Sequence, residues 1–396
     1  MNRGKPLLVA ALNHSRRDAI QRRFIWHNPA SWFTSAQSDS ATDSPLAIRP
    51  NTTGPTAPPF EDSHLSRSTP IAAATPPTPT PTITPTFNSI NASEISHFSR
   101  LSSQWWDEKG EFGLLHKMNP VRMEFVRKKV ISAREDDDGW SFATRKEARK
   151  DFGQSWLEGM DVLDVGCGGG LLSESLARVG GNTLGIDASA SNIAIASLHA
   201  SRDPFLPFIA DEGGLEVANP PASAASRRGT LRYRHTSAEQ LHAEGRKFDL
   251  VCSMEVLEHV DQPGEFLKVL GDMVKPGGHL ALSTINRTPL SQLLTITMAE
   301  HVLRLVTPGT HTYDKFIKPS ELLAFVRDHM GGESVWESDG DGLIDGGRDG
   351  GGVGVGEVRG IVYDPIAGNW KLWKDGAPGG TLCNYMFHMR KRADAV

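Results

Sequence analysis

Between Met160 and Asp187 the spacing of apolar residues changes twice. Val162, Leu163 and Val165 form a compact run that suits a buried parallel strand. Leu171, Leu172, Leu176 and Val179 then recur at helical spacing. Thr183 to Ile186 reads as a second strand, and it ends on an acid, Asp187. Gly166, Gly168 and Gly170 fill the turn between the first strand and the helix. Strand, glycine turn, helix, strand and acid make the first half of a nucleotide-binding α/β unit. Without Cβ atoms the glycines let a ligand approach the backbone, and an acid at the end of the second strand suits a ribose.

The alternation continues downstream. Ser191 to Ser201 reads as a helix, and Leu231 to His235 and Phe248 to Ser253 as the third and fourth strands. Phe266 to Met273 is an amphipathic helix, and Leu280 to Ile285 the fifth strand. A proline and a capping serine at Pro319-Ser320 open another helix. Val358 to Tyr363 and Asn384 to Met389 are expected to close the sheet as its antiparallel edge. Upstream, Phe98, Leu101, Trp105 and Trp106 suit one helix face, and Met123, Phe125, Val126 and Val130 another. The expected fold is α/β and Rossmann-like: a mostly parallel, seven-stranded sheet with helices on both faces and an antiparallel edge strand.

Composition divides the 396 residues. Residues 1–35 carry Arg3, Lys5, Arg16, Arg17, Arg22 and Arg23 against a single acid, Asp18, with apolar residues interleaved. This is the composition of a mitochondrial presequence, with a disordered basic tail as the alternative. Residues 36–93 are rich in Ser, Thr and Pro and read as an extended linker that buries no core. Residues 94–396 form the expected folded domain. It is interrupted by insertions at 135–158, 202–229 and 331–356, the last glycine-rich and acidic but without the glycine spacing of a calcium loop. The net charge of -5 gives no reason to expect nucleic acid as a partner. Cys167, Cys252 and Cys383 are scattered, which supports neither a disulfide framework nor a zinc knuckle and fits a reducing compartment. Cys167, inside the glycine turn, reads as a small residue filling tight space.

The dinucleotide fingerprint needs a glycine where this chain has Leu171. The pattern here is G-x-G-x-G with Asp164 two residues ahead, and it resembles the S-adenosylmethionine (SAM) turn of class I methyltransferases. Arg122 suits a carboxylate, which a guanidinium grips with two parallel bonds, but by residue type alone it reads as a surface charge. Glu239 stands where it would accept from an adenine amino group or cap the next helix. Glu255, Glu258 and His259 follow the fourth strand at i, i+3 and i+4, one face of a helical turn. They read equally as a metal or acid/base cluster and as a solvated helix start. Leu290 to Val306 is strongly apolar but carries Glu300, His301 and Arg304, too polar and too short to span a bilayer. A lid over a greasy substrate, an interfacial helix and a buried helix all fit it.

Several motifs together are narrower than the glycine turn. H-F-S-R-L-S-S-Q-W-W-D and L-H-K-M-N-P-V-R lie in residues 97–130. D-V-G-C-G-G-G, S-M-E-V-L-E-H-V, V-K-P-G-G, S-T-I-N-R-T, G-T-H and K-F-I-K-P-S-E-L follow. They resemble the ubiquinone biosynthesis O-methyltransferase family over most of residues 94–330, and the likeness resumes near Val362-Tyr-Asp-Pro-Ile and Asn384-Tyr-Met. The resemblance implies a class I methyltransferase fold and transfer of a methyl group from SAM to catechol hydroxyls of polyprenylated ring intermediates at two steps of ubiquinone synthesis. It implies SAM contacts at Arg122, Gly166, Asp187 and Met254, with Gly168 in the same turn. It implies a divalent ion, Mg²⁺, at Glu255, Glu258 and His259. It further implies peripheral placement on the matrix face of the inner mitochondrial membrane, in a complex with other proteins of the pathway. The three insertions depart from the family pattern. The chemistry agrees. A phenol, with a pKa near ~10, is a poor nucleophile, and a Lewis acid on adjacent catechol oxygens favours the phenolate. His259 is a soft ligand for Mg²⁺ and alternatively takes the phenolic proton as general base, and Glu255 stands beside it as its catalytic companion. The other readings are a SAM-binding scaffold without catalysis and an NAD-linked dehydrogenase, which Leu171 disfavours.

Overall fold

The computed structural model describes residues 88–137, 155–210, 229–337, 356–374, 377 and 379–393. The expected presequence, most of the linker and the interiors of the three insertions lie outside the described residues. Their edges shift. Ser89 already touches the folded body through Glu239, so the linker ends earlier than residue 93. Trp156 and Leu157 are buried in the core, Phe208 bridges to Leu231, and Trp336 is buried and pairs with Lys391. These residues sit inside the expected insertions because each is an apolar side chain that the neighbouring sheet or helix covers.

Among the described residues nine strands form one sheet in the order β3-β2-β1-β4-β5-β9-β7-β8, with β6 paired to β9. β1 is Asp161–Val165, β2 Asn182–Asp187, β3 Leu231–His235, β4 Phe248–Met254 and β5 Val274–Ile285, all joined in parallel. β9, Asn384–Lys391, runs antiparallel between β5 and β7, Glu357–Asp364. The expectation of seven strands is corrected by two short ones, β6 at Trp336–Glu337 and β8 at Asn369–Leu372, which forms a hairpin with β7. Neither carries enough alternating apolar residues to signal a strand.

Alternation along the strands sends side chains to two cores. Leu163, Val165, Val251, Leu280, Leu282 and Phe387 face one cluster, packed by α5 (Ala238–Ala243), α6 (Pro263–Asp272) and α7 (Pro319–His329). Val162, Leu250, Cys252, Ala281 and Met386 face the other. There they meet α2 (Gly113–Asp137) and α3 (Leu171–Arg178). The helix α4 (Ala190–Arg202) covers β2 and β3 beyond α3. The short helix α1 (Ala92–Leu101), capped by Asn91, lies against α4.

Gln292–Val302 coils as a π-helix, a form found mostly in short functional pieces. Leu293, Leu294 and Val302 are exposed, Val302 by 60%, while Glu300 is fully buried. The buried-helix reading of this segment is therefore overturned: Glu300 points in, while Leu293, Leu294, Val302 and Leu303 are exposed along with His301 and Arg304. Among the described residues no helix is long and apolar enough to cross a membrane.

Candidate active site

In a parallel sheet of this kind the crevice lies outside the carboxyl ends of the strands. β1, β2, β4 and β5 deliver Val165, Asp187, Met254 and Ile285 to that edge. All four line one cavity of 790 Å³ that also takes in Arg122, Gly166, Gly168, Glu239, Glu255 and His259. The sequence-derived site residues thus come together, with one exception described below.

The half of the cavity over β1 and β2 is tightly bonded. Asp187 Oδ2 accepts from the Gly168 N–H at 2.9 Å, and Oδ1 from the Ser189 N–H at 2.7 Å and Asn192 Nδ2 at 3.3 Å. Burial pushes the Asp187 carboxyl above its ordinary range, against those donors. Asp164 is pushed up to about 6 by burial, opposed by the Ser173 hydroxyl, which donates to it at 2.5 Å. Gly168 has a φ of +55°, and a Cβ there would stand 2.2 Å from the Trp105 ring. Trp105 stacks on Phe112 with centroids 3.8 Å apart and donates to Asn192 Oδ1 at 3.1 Å. The glycine turn is therefore needed for close packing of the protein on itself as well as for a ligand. Cys167 is buried and its thiol pushed far up by burial, so it is inert, a space-filler.

Arg122 is buried, with 4% exposure, which corrects the surface-charge reading. The apolar face of α2 turns Phe125, Val126 and Val130 to the sheet and carries Arg122 in with them. Burial lowers its pKa while the charges of Glu255, Asp164 and Glu258 raise it. Its Nε and Nη2 have no hydrogen-bond partner. Two unused donors of a buried guanidinium, open to a cavity, suit a ligand carboxylate. Glu239 also departs from the capping alternative. Ser237 caps α5, in a reciprocal pair with Gln240. Glu239 accepts from the Ser89 N–H at 3.0 Å and from the Ser89 hydroxyl on Oε1, and its buried Oε2 is unpaired in the cavity wall.

Beyond β4 the chain does not form the expected helical turn. Glu255 is left-handed at φ +57°, a strained geometry for a residue with a side chain, and only Leu257–His259 coil, as a 3₁₀ turn. Glu255 and His259 therefore reach the cavity while Glu258 turns away from it. Glu258 is buried and accepts from the Thr284 hydroxyl at 2.8 Å. Burial, and then the charge of Glu255, push the Glu258 carboxyl up to about 8. Asn384 Nδ2 lies 3.4 Å from Glu255 Oε2. The Oε1 atoms of Glu255 and Glu258 are both buried and unpaired.

That donor set bears on a metal. Two orphaned, mutually repelling carboxylate oxygens fit a hard divalent cation. Among the described residues, however, no group of three or more His, Cys, Asp or Glu side chains is gathered closely enough to hold one. The expectation of a ready-made Glu255–Glu258–His259 cluster is corrected to that extent, because the strained turn at Glu255 and the Thr284 bond hold Glu258 aside.

Four residues that sequence reasoning missed complete this half. His259 Nδ1 lies 3.2 Å from Glu94 Oε2 on α1, and Lys315 Nζ donates to Glu94 Oε1 at 3.0 Å. The paired Glu94 carboxyl is held down at about 2: burial raises it, and the contacts with His259 and Lys315 outweigh burial. Burial lowers the His259 pKa, so the imidazole is neutral near pH 7. Opposite it, His311 Nδ1 lies 2.8 Å from Glu300 Oε1, and the two imidazole centroids are 5.9 Å apart. Glu300 also accepts from the Gly309 N–H at 2.7 Å and the His311 N–H at 2.9 Å. An acid at the centre of the apolar Leu290–Val306 run was the available signal. Nothing in the spacing linked Glu94 to His259.

A family profile described as "Methyltransferase domain" matches residues 142–327. The ubiquinone biosynthesis O-methyltransferase, mitochondrial, of Schizosaccharomyces pombe is 38% identical over 78% of this chain and 89% of its own. The ubiquinone biosynthesis O-methyltransferase of Caulobacter vibrioides is 38% identical over 76% of this chain and 95% of its own. The mitochondrial protein of that name in Arabidopsis thaliana is 36% identical over 77% and 76%.

Proposed function

The chain belongs to the ubiquinone biosynthesis O-methyltransferases, which draw their methyl group from SAM, and on that premise we propose that it methylates a catechol hydroxyl of polyprenylated dihydroxybenzoate and demethylubiquinol intermediates. The observation that carries the reading is the single cavity shared by Asp187, Arg122, Glu255 and His259. Asp187 takes the ribose hydroxyls, Arg122 the SAM carboxylate with its unused donors, and Gly166, Gly168 and Met254 border the donor. Glu239 accepts from the adenine amino group through its unpaired Oε2.

In the reaction a phenolic oxygen attacks the sulfonium methyl carbon in line. The O–C bond forms, the S–C bond breaks, the sulfur keeps the electron pair, and the phenolic proton passes to a base. Holding the two reactants in that geometry supplies much of the rate. Glu255 and His259, which line the cavity, are the side chains that would hold Mg²⁺, with Glu258 joining them only once released from Thr284; a bound ion would stabilise the phenolate. With Nδ1 engaged by Glu94, His259 has one nitrogen left, Nε2, either to ligate or to take the proton. Placement against the matrix face of the inner mitochondrial membrane rests on the exposed leucines of the π-helix and on the mitochondrial relatives. Assembly with other proteins of the pathway is part of the same reading, and a peak at monomer mass alone on size exclusion of solubilised mitochondria would contradict it.

The test is transfer of label from SAM to a prenylated catechol, with and without chelator. The expected result is a labelled methyl ether whose yield falls on chelation. No transfer under any metal condition would contradict the catalytic reading, and transfer indifferent to chelator would remove the metal.

A further inference from the structure

The cavity is longer than its two reactants require. The glycine turn lies at β1, and the far wall is formed by β7, four ladders away through β4, β5 and β9, and by β8 beyond it. At ~4.8 Å per ladder that is about 19 Å across the sheet edge. The acceptor ring, near Glu255 and His259, sits beyond β4, so the stretch past β5 is not occupied by either reacting group.

That stretch changes character. Met298, Leu305, Val362, Tyr363 and Trp370 contribute its walls, from the π-helix segment on one side and the β7–β8 hairpin on the other. Trp370 is fixed as a floor by its Nε1–H, which donates to the Leu114 carbonyl at 3.1 Å. The lining carboxylate Glu111 accepts from the Thr307 N–H. Leu303, Leu305 and Pro365 line the cavity and are also exposed, so the apolar end is a mouth. Val302 and the hairpin tip Ile366, which is 98% exposed, flank it.

We propose that this apolar end is an isoprenoid-tail groove, entered between the π-helix and the β7–β8 hairpin. The proposal rests on the functional reading above and adds where the tail runs and which residues grip it. An isoprenoid is the fitting occupant because the groove is continuous with the ring site, is walled mainly by apolar side chains and opens between exposed apolar side chains. Each methylene removed from water adds to binding there and nothing to the chemistry, so the groove acts on KM rather than on kcat.

The test uses the full chain in detergent micelles, which removes any contribution from a bilayer. Labelled-SAM kinetics are compared for a catechol carrying several isoprene units and for the same catechol without a tail, in wild type, Leu305→Asp and Tyr363→Ala. Leu305 is exposed, so its variant folds, and S-adenosylhomocysteine binding by calorimetry verifies the donor end in both. The wild type is expected to show a KM at least about tenfold lower for the tailed substrate, and each variant to raise that KM about tenfold while moving the tail-less KM less than about twofold. Equal KM values for the two substrates in wild type, or variants that shift both alike or neither, overturn the groove alone. A wild type that methylates neither catechol while binding SAM overturns the functional reading instead.

Discussion

The two halves of the cavity are built in opposite ways. The donor half comes from consecutive chain: β1, the glycine turn, α3 and β2 place Asp164, Gly168 and Asp187 within one supersecondary unit, and their carboxylates are already bonded. The acceptor half is assembled from distant pieces. Glu94 on α1 meets His259 after β4, Glu300 on the π-helix meets His311, and β7 and β8 supply the apolar end. It also keeps buried carboxylate oxygens without partners at Glu255 and Glu258. In the donor half the turn acids are satisfied by the chain itself, and Arg122 Nε and Nη2 and Glu239 Oε2 are left for the cofactor. A half that must admit a changing ring, and in the proposed reading a cation, is left electrostatically incomplete until those arrive.

Arg122 joins the halves, and its removal is the severest way to break the distinction. Arg122→Ala leaves Asp164, Glu255 and Glu258 without their buried counter-charge. It is expected to cost about 3–5 kcal/mol of stability and to abolish SAM binding, read by thermal melting and by calorimetry with S-adenosylhomocysteine. Melting within a degree of wild type would mean the halves are electrostatically separate.

Asp187→Asn acts on the donor half alone. It is expected to weaken S-adenosylhomocysteine binding about a hundredfold, the worth of about two charge-assisted hydrogen bonds. The prenylated catechol should bind as before. Parallel losses for both ligands would contradict independent halves.

pH separates them next. The folded Glu258 carboxyl is raised to about 8 from an ordinary 4.5, so its contribution is fully present below pH 4.5 and is lost as pH rises through 8. Between about pH 6, above the Asp164 titration, and pH 8, metal-free protein should therefore lose on the order of 1 kcal/mol per pH unit through Glu258. Added Mg²⁺ should offset the loss, and Glu258→Gln should abolish the slope. Denaturant titrations at several pH values read this directly, and a slope that survives in the variant would assign it to another group.

The gentlest change concerns the rim. Leu293→Asp with Val302→Asp, both exposed, should alter stability by less than about 0.5 kcal/mol. Flotation with anionic vesicles should nonetheless recover much less of the variant than of the wild type. Equal recovery would contradict the proposed membrane contact of the π-helix.

The same division explains what was legible in the sequence. β1 through β5 and the donor acids were readable because apolar period and glycine spacing are local signals, and Asp187 lies only a helix away from Gly168. Glu255 and Glu258 were readable as residues but not as geometry, since spacing assumes a helix and the chain instead turns left-handed at Glu255. Arg122 looked like a surface charge because burial of a guanidinium depends on a sheet that α2 meets only in three dimensions. The pairs Glu94–His259 and Glu300–His311 left almost no trace, the first because its partners are far apart in the chain. The short strands β6 and β8 were missed because a two- or four-residue strand is fixed by its neighbour and not by its own pattern.

The most direct test of the central claim is a crystal structure with S-adenosylhomocysteine and a prenylated catechol bound together. The expected density has the ribose on Asp187, the amino-acid carboxylate on Arg122 and a catechol oxygen between the sulfur and His259. A nucleoside seated away from Asp187, or a ring on the β3 side of the sheet with the Glu255–His259 edge left to solvent, would contradict it.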